Sequence, residues 1–329
     1  MYKKLSGYDF IKKSIPKKPL FRFKGKTIKD YKKWSKASKA KLLDIMGYNN
    51  IEAIKSEAKL VNFTDFSEYT RFEYKLNTAK GLTMPYYVLE PKISNNKAVI
   101  ALHGHGSDGK EGLVGNEGED FKKSIERFNY TYALEFLKKG YTVYVPDLLG
   151  AGKRTLGIYS DNRAECNDIN NALISVGMCM QAVILFENIQ LVKEINKKGY
   201  DEIVCCGFSG GGHSALWLAL MESKIERAYI SGFFHSFKYS LIYQNRCGCN
   251  FIPYQWKYVD MGDILAMAAP KKIYIETGKE DNLNGIKGID GVMEQLESAN
   301  KTYSQFNEKI DINICEGSHR WYGSFMDKF

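Results

Sequence analysis

From about residue 98 onwards, short apolar runs and helical patterns alternate along the chain. Runs rich in β-branched residues predict buried strands at 98–102, 141–145, 202–206, 227–230, 272–276 and 310–314. Apolar positions at helical spacing predict helices at about 120–139, 168–198 with a kink at Gly177, 210–222, 286–300 and 320–329. Strands that alternate with helices form parallel sheets with helices on both faces. The pattern therefore predicts a mostly parallel, doubly wound α/β sheet.

The N-terminal part of the chain follows a different pattern. Pro16 and Pro19 predict an irregular segment over residues 1–30, because proline breaks a helix that runs through it. A helix is predicted over about 28–47, where apolar residues recur at near-helical spacing and Gly47 suits the C-terminal cap.

Polar and apolar residues alternate over 51–77, and a further strand pattern covers 82–89, which predicts antiparallel strands at the edge of the main sheet. We predict a basic N-terminal arm and helix at 1–50 and one α/β domain at 51–329, a length that suffices for a single large core. The aromatic-rich segment 233–268 interrupts the alternation. It predicts a small lid-like insertion over the carboxyl edge of the sheet, where such folds place their active sites.

The formal net charge of +9 comes from the N-terminal arm. Residues 1–41 contain 15 Lys and Arg against Asp9 and Asp30, so the rest of the chain is slightly acidic. A basic arm can bind nucleic acid or an anionic membrane, and a non-catalytic binding protein is therefore one hypothesis. No nucleic-acid module motif accompanies the arm, so we favour a solvated flank and expect no nucleic-acid partner.

The sequence also bears on where the protein works. No run approaches the roughly 18 apolar residues of a membrane span, and the N-terminus lacks the apolar core of a signal peptide. The seven Cys are odd in number and scattered, which indicates reduced thiols rather than a disulfide framework. We therefore predict a cytoplasmic protein without a membrane span, and we leave self-association into a homo-oligomer open.

The strand at 202–206 leads into the candidate chemistry. It is followed by Gly-Phe-Ser-Gly-Gly at 207–211 and then by a helical pattern. Strand, G-x-S-x-G and helix together are typical of a nucleophile elbow, a turn so tight that the serine hydroxyl is held clear of the sheet. Ser209 is therefore the predicted nucleophile. The amide of Gly210 opens a helix, where free N–H groups favour an anion.

A second glycine-rich loop follows the strand at 98–102. It reads His-Gly-His-Gly-Ser at 103–107 and can bring a backbone amide to a developing oxyanion. We predict that the amides of His105 and Gly210 form an oxyanion hole.

Metal binding is not expected from the sequence. His103 and His105 have the spacing of a ligand pair, but no third ligand is apparent. Cys247 and Cys249 are too close-set and lack a second pair. We therefore predict no metal.

The remaining partners of a serine nucleophile follow two late strands. Gly-Lys-Glu-Asp at 278–281 places Asp281 where an orienting carboxylate belongs, with Glu276 and Glu280 as competitors. His319 follows the last strand and a glycine turn, and it is the natural base. The order Ser, Asp, His along the chain is that of α/β-hydrolases.

Over about residues 60–329 the chain resembles the acetyl xylan esterase-like and dienelactone-hydrolase-like branch of the α/β-hydrolases. The motifs that carry the resemblance are His-Gly-His-Gly at 103–106, Asp-Leu-Leu-Gly-Ala-Gly-Lys-Arg at 147–154, the serine motif at 207–211, Gly-Lys-Glu-Asp at 278–281 with His319, and Cys-Gly-Cys-Asn-Phe-Ile-Pro at 247–253. The resemblance implies the α/β-hydrolase fold, with Ser209 as nucleophile, Asp281 and His319 as its partners, and no cofactor.

We predict a serine hydrolase that cleaves a carboxylic ester through an acyl-enzyme on Ser209. The favoured substrate is a short-chain ester, such as an acetyl ester of a sugar or small metabolite. A peptidase, thioesterase or acyltransferase would use the same triad and stays open. No substrate-binding residue is assigned, although the aromatic residues of 233–258 either cover the site or stack on a sugar.

Overall fold

The computed structural model describes residues 7–105, 108–116, 118–156, 165–244 and 246–329. Gly106 and Ser107 of the predicted oxyanion loop lie outside the described residues, as do residues 1–6 of the basic arm.

The strands of the described residues form one mixed sheet. They are β1 (Ala53–Asp65), β2 (Tyr69–Ala79), β3 (Leu82–Pro91), β4 (Lys97–Leu102), β5 (Thr142–Pro146), β6 (Glu202–Phe208), β7 (Arg227–Ser231), β8 (Lys272–Gly278) and β9 (Asp311–Cys315). Their order across the sheet is β1-β2-β3-β5-β4-β6-β7-β8-β9. The pairings from β1 to β5 are antiparallel and those from β5 to β9 are parallel. The predicted sheet, mostly parallel with antiparallel N-terminal strands, is confirmed.

Helices cover both faces of the sheet. In the described residues they are α1 (Tyr8–Ser14), α2 (Ile28–Met46), α3 (Lys110–Leu113), α4 (Glu119–Phe128), α5 (Tyr132–Lys138), α6 (Cys166–Ser175), α7 (Met180–Asn196), α8 (Gly210–Met221), α9 (Gln255–Tyr258), α10 (Met261–Ala266) and α11 (Gly288–Tyr303). The adjacent cysteines of β6 show that the central strands are buried on both faces. Cys205 belongs to the core on one face and Cys206 to the core on the other, as expected for a parallel strand between two helical layers.

Two long helices of the sequence prediction are broken in the structure. The helix predicted at 120–139 is α4 and α5, because Asn129 adopts a left-handed conformation (φ 51°) that ends the first helix. The helix predicted at 168–198 is α6 and α7, which are bent by 97° around Gly177 (φ 78°). The kink at Gly177 was therefore expected in the right place, but it is a full break.

Predictions at both ends of the chain were wrong. Residues 1–30 were expected to be irregular, yet α1 forms just ahead of Pro16. The proline ring stops a helix from continuing past this point but does not prevent a helix before it. The helix expected at 320–329 is a single 3₁₀ turn at Met326–Lys328. The backbone N–H groups of Tyr322 and Ser324 donate instead to the buried carboxylate of Glu276, at 2.9 and 3.0 Å.

The helix of the basic arm is part of the main core. Thr27 and Asp30 form a capping box at the start of α2, and Gly47 ends the helix in a left-handed conformation (φ 71°), as predicted. The Tyr31 hydroxyl donates to the carbonyl of Ala269 at 2.6 Å. This part of the arm is therefore folded onto the α/β domain.

In the described part of the chain, no single helix is long and apolar enough to cross a membrane. The bent pair of α6 and α7 reaches that length and composition only when the two helices are taken together. Most residues of α7 are buried inside the protein.

Candidate active site

Ser209 lies at the turn between β6 and α8 in a strained conformation. Its φ of 56° and ψ of −122° are outside the regions that side chains other than glycine normally adopt. Such a residue costs about 1–3 kcal/mol and persists only where its surroundings hold it. Here the Ser209 amide donates to the carbonyl of Ser231 at 2.9 Å, which ties the turn to the end of β7.

The glycines around Ser209 are required by close backbone contacts. A Cβ on Gly207 would lie 2.2 Å from the carbonyl oxygen of Gly211, so the strand and the helix could not cross at this distance. A Cβ on Gly211 would lie 1.8 Å from the carbonyl oxygen of Leu102 in β4. The G-x-S-x-G sequence therefore has a steric reason at both ends.

The structure pairs His319 with Asp281. Nδ1 of His319 lies 2.6 Å from Oδ2 of Asp281, and the other carboxylate oxygen accepts the amide of Leu283 at 2.8 Å. Asp281 is buried, whereas the competing Glu280 is exposed. The other competitor, Glu276, is hydrogen-bonded to the C-terminal segment and to Tyr229.

The His319 ring lies beside the elbow. Its centroid is 4.5 Å from that of Phe208, the residue before Ser209, and a Cβ on Gly232 would lie 3.0 Å from the ring. Within the described residues no hydrogen bond joins the Ser209 hydroxyl to His319. Because Nδ1 is engaged by Asp281, Nε2 is the ring nitrogen that remains for proton transfer.

The loop after β4 packs directly on the elbow. A Cβ on Gly104 would lie 3.2 Å from the Cβ of Ser209, and a Cβ on Gly210 would lie 2.5 Å from the His105 ring. The two amides predicted for the oxyanion hole, those of His105 and Gly210, therefore belong to segments in contact.

His103 holds this loop rather than facing the site. Its Nε2 accepts the amide of Leu148 at 2.9 Å, and its Nδ1 lies 2.8 Å from the carbonyl oxygen of Gly104. Accepting at Nε2 requires that nitrogen to be unprotonated, and burial correspondingly lowers the pKa of His103.

The histidine one turn after Ser209 is also structural. His213 Nε2 accepts the indole N–H of Trp217 at 2.9 Å, and burial lowers the pKa of His213 to about 3. It is therefore neutral, and its Nε2 is already engaged by Trp217.

Asp147 and Arg154 hold the loop after β5. Asp147 forms a fully buried ion pair with Lys110 at 2.6 Å and accepts the amide of Lys153 at 3.2 Å. Arg154 makes two hydrogen bonds to Glu187, at 2.7 and 2.9 Å. Neither residue lines the pocket in front of Ser209.

That pocket has a volume of about 250 Å³. Its lining residues are His105, Ser209, Gly210, Phe233, His235, Leu241, Arg246, Cys247, Asn250 and Leu283. Most of them belong to the segment expected to cover the site. Sequence reasoning gave none of them a role in substrate binding, since Cys247 and Asn250 entered only through the 247–253 motif and no motif marks the others. The only available signal was the presence of polar residues within an aromatic segment.

Two cationic or basic side chains in this pocket have unused hydrogen-bonding capacity. His235 is 2% exposed and neither ring nitrogen has a partner among the described residues. Arg246 Nη2 donates to the carbonyl of Leu283 at 2.9 Å, but its Nε is buried without a partner. Burial lowers the pKa of both side chains, while the charge of Asp281 opposes the shift at Arg246. Unpartnered buried polar atoms that line a cavity are ready to bind polar ligand groups.

The aromatic residues of the same segment are mainly packing. Phe233 lines the pocket, whereas Phe234 and Phe237 are fully buried in the core. This arrangement favours a cover over a sugar-stacking platform.

Comparisons with solved structures show the same fold elsewhere. A Bacteroides fragilis protein proposed to be an acetyl xylan esterase is similar over 98% of this chain and 84% of its own, with a TM-score of 0.78 and 19% identity. A glucuronoyl esterase from Solibacter usitatus is similar over 94% of this chain and 95% of its own, with a TM-score of 0.66 and 13% identity. Acetyl xylan esterase 1 from a Thermoanaerobacterium species is similar over 97% of this chain and 95% of its own, with a TM-score of 0.57 and 15% identity.

No curated protein matches the sequence significantly. The model of the Abhydrolase family, in contrast, matches residues 3–313, which is nearly the whole chain. With this match and the mixed sheet described above, the chain belongs to the Abhydrolase family and has the α/β-hydrolase fold.

Proposed function

We propose that this protein is a serine esterase that hydrolyses a short-chain ester, such as an acetyl ester, of a sugar or small metabolite. The observation that carries the proposal is the arrangement at the carboxyl edge of the sheet. Ser209 occupies a strained elbow, and beside it His319 is hydrogen-bonded to the buried Asp281. A serine, an imidazole and a carboxylate in this arrangement are the parts of a serine hydrolase.

In the proposed reaction, Nε2 of His319 takes the proton of the Ser209 hydroxyl as that hydroxyl attacks the ester carbonyl. Asp281 holds the imidazole through Nδ1 and stabilises its protonated form. The amides of His105 and Gly210 bind the oxyanion, and each such donor is worth about 3–4 kcal/mol. The alcohol leaves with the proton from His319, and water activated by the same histidine hydrolyses the acyl-enzyme.

The size and polarity of the pocket support a small polar substrate. A volume of about 250 Å³ accommodates a short acyl group with roughly one sugar ring, and it lies below the range of about 300–1,000 Å³ usual for larger ligands. The unpartnered nitrogens of His235 and Arg246 suit hydroxyl or carbonyl oxygens. The sugar-ester substrates in the names of the structural relatives agree with this choice.

The test replaces Ser209 by alanine. We expect Ser209→Ala to lower kcat for p-nitrophenyl acetate by ~10⁴-fold or more, because the nucleophile is lost while the pocket remains. Ser214→Ala is the matched control. Ser214 lies one turn further along α8, donates to the carbonyl of Gly210 at 3.1 Å and has no assigned role. A Ser209→Ala enzyme that keeps the wild-type rate would refute the proposal.

Substrate class is tested separately with a panel of acyl esters of increasing chain length beside acetylated sugars. The proposal predicts that kcat/KM falls as the acyl chain lengthens and rises for sugar esters. Preferential turnover of a peptide or thioester, or acyl transfer to a second alcohol in place of hydrolysis, would favour the other triad enzymes instead.

A further inference from the structure

Beside the Ser209 pocket, the structure brings together sulfur and nitrogen donors from three distant segments. Single donor atoms of His105, Cys166 and Cys247 all lie within 4.8 Å of one another. A fourth donor, Sγ of Cys249, lies 2.5 Å from Nε2 of His105. The segments are the loop after β4, the first residue of α6 and the turn at 247–249. We call these four side chains the thiol cluster.

We propose that the thiol cluster is a structural zinc site. Three thiolates and one imidazole are a donor set typical of structural zinc. Zn–S bonds of ~2.3 Å and Zn–N bonds of ~2.0–2.1 Å in a tetrahedron keep donors about 3.5–3.8 Å apart. The donors of His105, Cys166 and Cys247 lie within 4.8 Å of one another, so each would move by about 1 Å or less to reach this spacing. The His105–Cys249 contact would lengthen by about 1 Å if both side chains bound the ion.

The surroundings hold the donors in place without help from an ion. The amide of Gly248 donates to Oδ1 of Asn167 at 2.6 Å, which joins the turn at 247–249 to the start of α6. A Cβ on Gly248 would lie 3.0 Å from the carbonyl oxygen of Cys166, so the two segments are in close contact. Nδ2 of Asn250 donates to the carbonyl of Cys247 at 3.1 Å. The cluster is therefore preorganised, which lowers the entropy cost of binding.

The local charge also fits. Zn²⁺ with three thiolates and a neutral imidazole carries one net negative charge, and burying such a charge alone is unfavourable. Arg246 precedes Cys247 in the chain, is itself half-buried, and lines the same pocket as Cys247. Its guanidinium would balance the charge of the loaded site.

The ion would tie the catalytic loop to the pocket wall. His105 belongs to the loop assigned to the oxyanion, and Cys247 lines the Ser209 pocket. Four protein donors close the coordination sphere and leave no position for substrate, so the ion holds structure rather than taking part in the chemistry. This inference does not depend on the esterase proposal.

The test is a Co²⁺ titration of the full-length, reduced and chelator-stripped protein. Tetrahedral Co²⁺–thiolate coordination has a distinct visible and near-ultraviolet absorption that reports the ligands directly. We expect about one Co²⁺ per chain with this spectrum, and its loss on adding Zn²⁺, which binds such sites more tightly.

Two variants identify the ligands. Cys166→Ser with Cys247→Ser should lose the spectrum and weaken binding by more than the ~10–100-fold that loss of an outer partner costs. Cys315→Ser is the control, because this half-buried thiol on β9 lies outside the thiol cluster and should keep the spectrum.

Either of two results would overturn the inference. One is a wild-type protein that shows no tetrahedral thiolate spectrum with Co²⁺. The other is a double variant that shows the same spectrum as the wild type. The wild-type result is decisive even if the double variant fails to fold, and neither readout uses esterase activity.

Discussion

At the residue scale, the proposed proton transfer from Ser209 depends on which carboxylate holds His319. Asp281 does so at 2.6 Å from a buried position, and its second oxygen is fixed by the backbone of Leu283. Glu280, the neighbouring carboxylate, is exposed. The pairing fixes Nδ1 as the protonated nitrogen, so the proposed proton transfer from Ser209 would use Nε2.

Asp281→Asn should therefore lower kcat for p-nitrophenyl acetate by ~10⁴-fold, because the amide does not stabilise the imidazolium and can favour the wrong tautomer. Glu280→Gln, a neutralisation at the adjacent position, should leave kcat unchanged. Steady-state kinetics of the two variants measure this directly. If Glu280→Gln lost activity while Asp281→Asn kept it, the assignment of the carboxylate would be wrong.

The sequence reduced the number of candidate carboxylates for His319 but could not single out Asp281. The G-x-x-D spacing after a late strand pointed to Asp281, yet Glu276 and Glu280 lay within five residues. Only the folded chain shows that the Glu276 carboxylate already accepts hydrogen bonds from the backbone N–H groups of Tyr322 and Ser324. Those partners follow His319 in a segment that was predicted to be helical, so the competition could not be resolved from local patterns.

At the element scale, the unit of β6, the turn and α8 depends on close backbone contact. Gly211 is the residue most tightly constrained, since the carbonyl of Leu102 in β4 lies where its Cβ would be. A backbone oxygen within a central strand cannot move aside without disrupting the sheet. The constraint therefore outweighs the intrinsic preference of a helix for alanine over glycine, about 1 kcal/mol.

Gly211→Ala should lower the free energy of unfolding by ~3 kcal/mol, the upper end of the typical cost of overpacking, because the contacted atoms are fixed. Gly291→Ala is the matched control within a helix. There the nearest atom to an added Cβ is the Cβ of Lys287 at 3.3 Å, and the nearest backbone oxygen, that of Asn284, is 4.0 Å away, so the variant should lose far less stability than Gly211→Ala. Urea unfolding measures both. Equal stability of the two variants would contradict the steric argument.

Elements that are marked by residues close in sequence were predicted correctly. Elements that depend on a single backbone conformation or on contacts with distant residues were not. The elbow is marked by the sequence itself, and α8 begins at Gly210 as predicted. The break at Asn129 was missed, because an asparagine in a left-handed conformation leaves the helical periodicity on both sides intact. The helix expected at the C-terminus was replaced by hydrogen bonds to a side chain more than forty residues away.

At the scale of the whole molecule, the site is assembled from segments that are far apart in the chain. The pocket combines the loop after β4, the elbow, the segment after β7 and Leu283. The thiol cluster likewise joins three segments, those of His105, of Cys166 and of Cys247 with Cys249. The sequence argument against a metal considered only donors close in sequence, and no spacing rule could have brought these three together.

The structure also shows that part of the basic arm is packed into the main core. Its helix α2 contributes Leu42 and Met46 to the main core, and the Lys39 ammonium donates to the carbonyl of Leu220. The family model also extends over this part of the chain, from residue 3. Much of the arm is thus integrated into the fold, which weakens the hypothesis that the arm alone defines the protein as a binding module.

The central claim is that Ser209 is an activated nucleophile, and labelling with a fluorophosphonate followed by peptide mass spectrometry tests it most directly. The account predicts one adduct per chain on the peptide that contains Ser209, with esterase activity lost in proportion to labelling. An enzyme that still hydrolyses p-nitrophenyl acetate while Ser209 stays unlabelled, or a label on another residue, would contradict it.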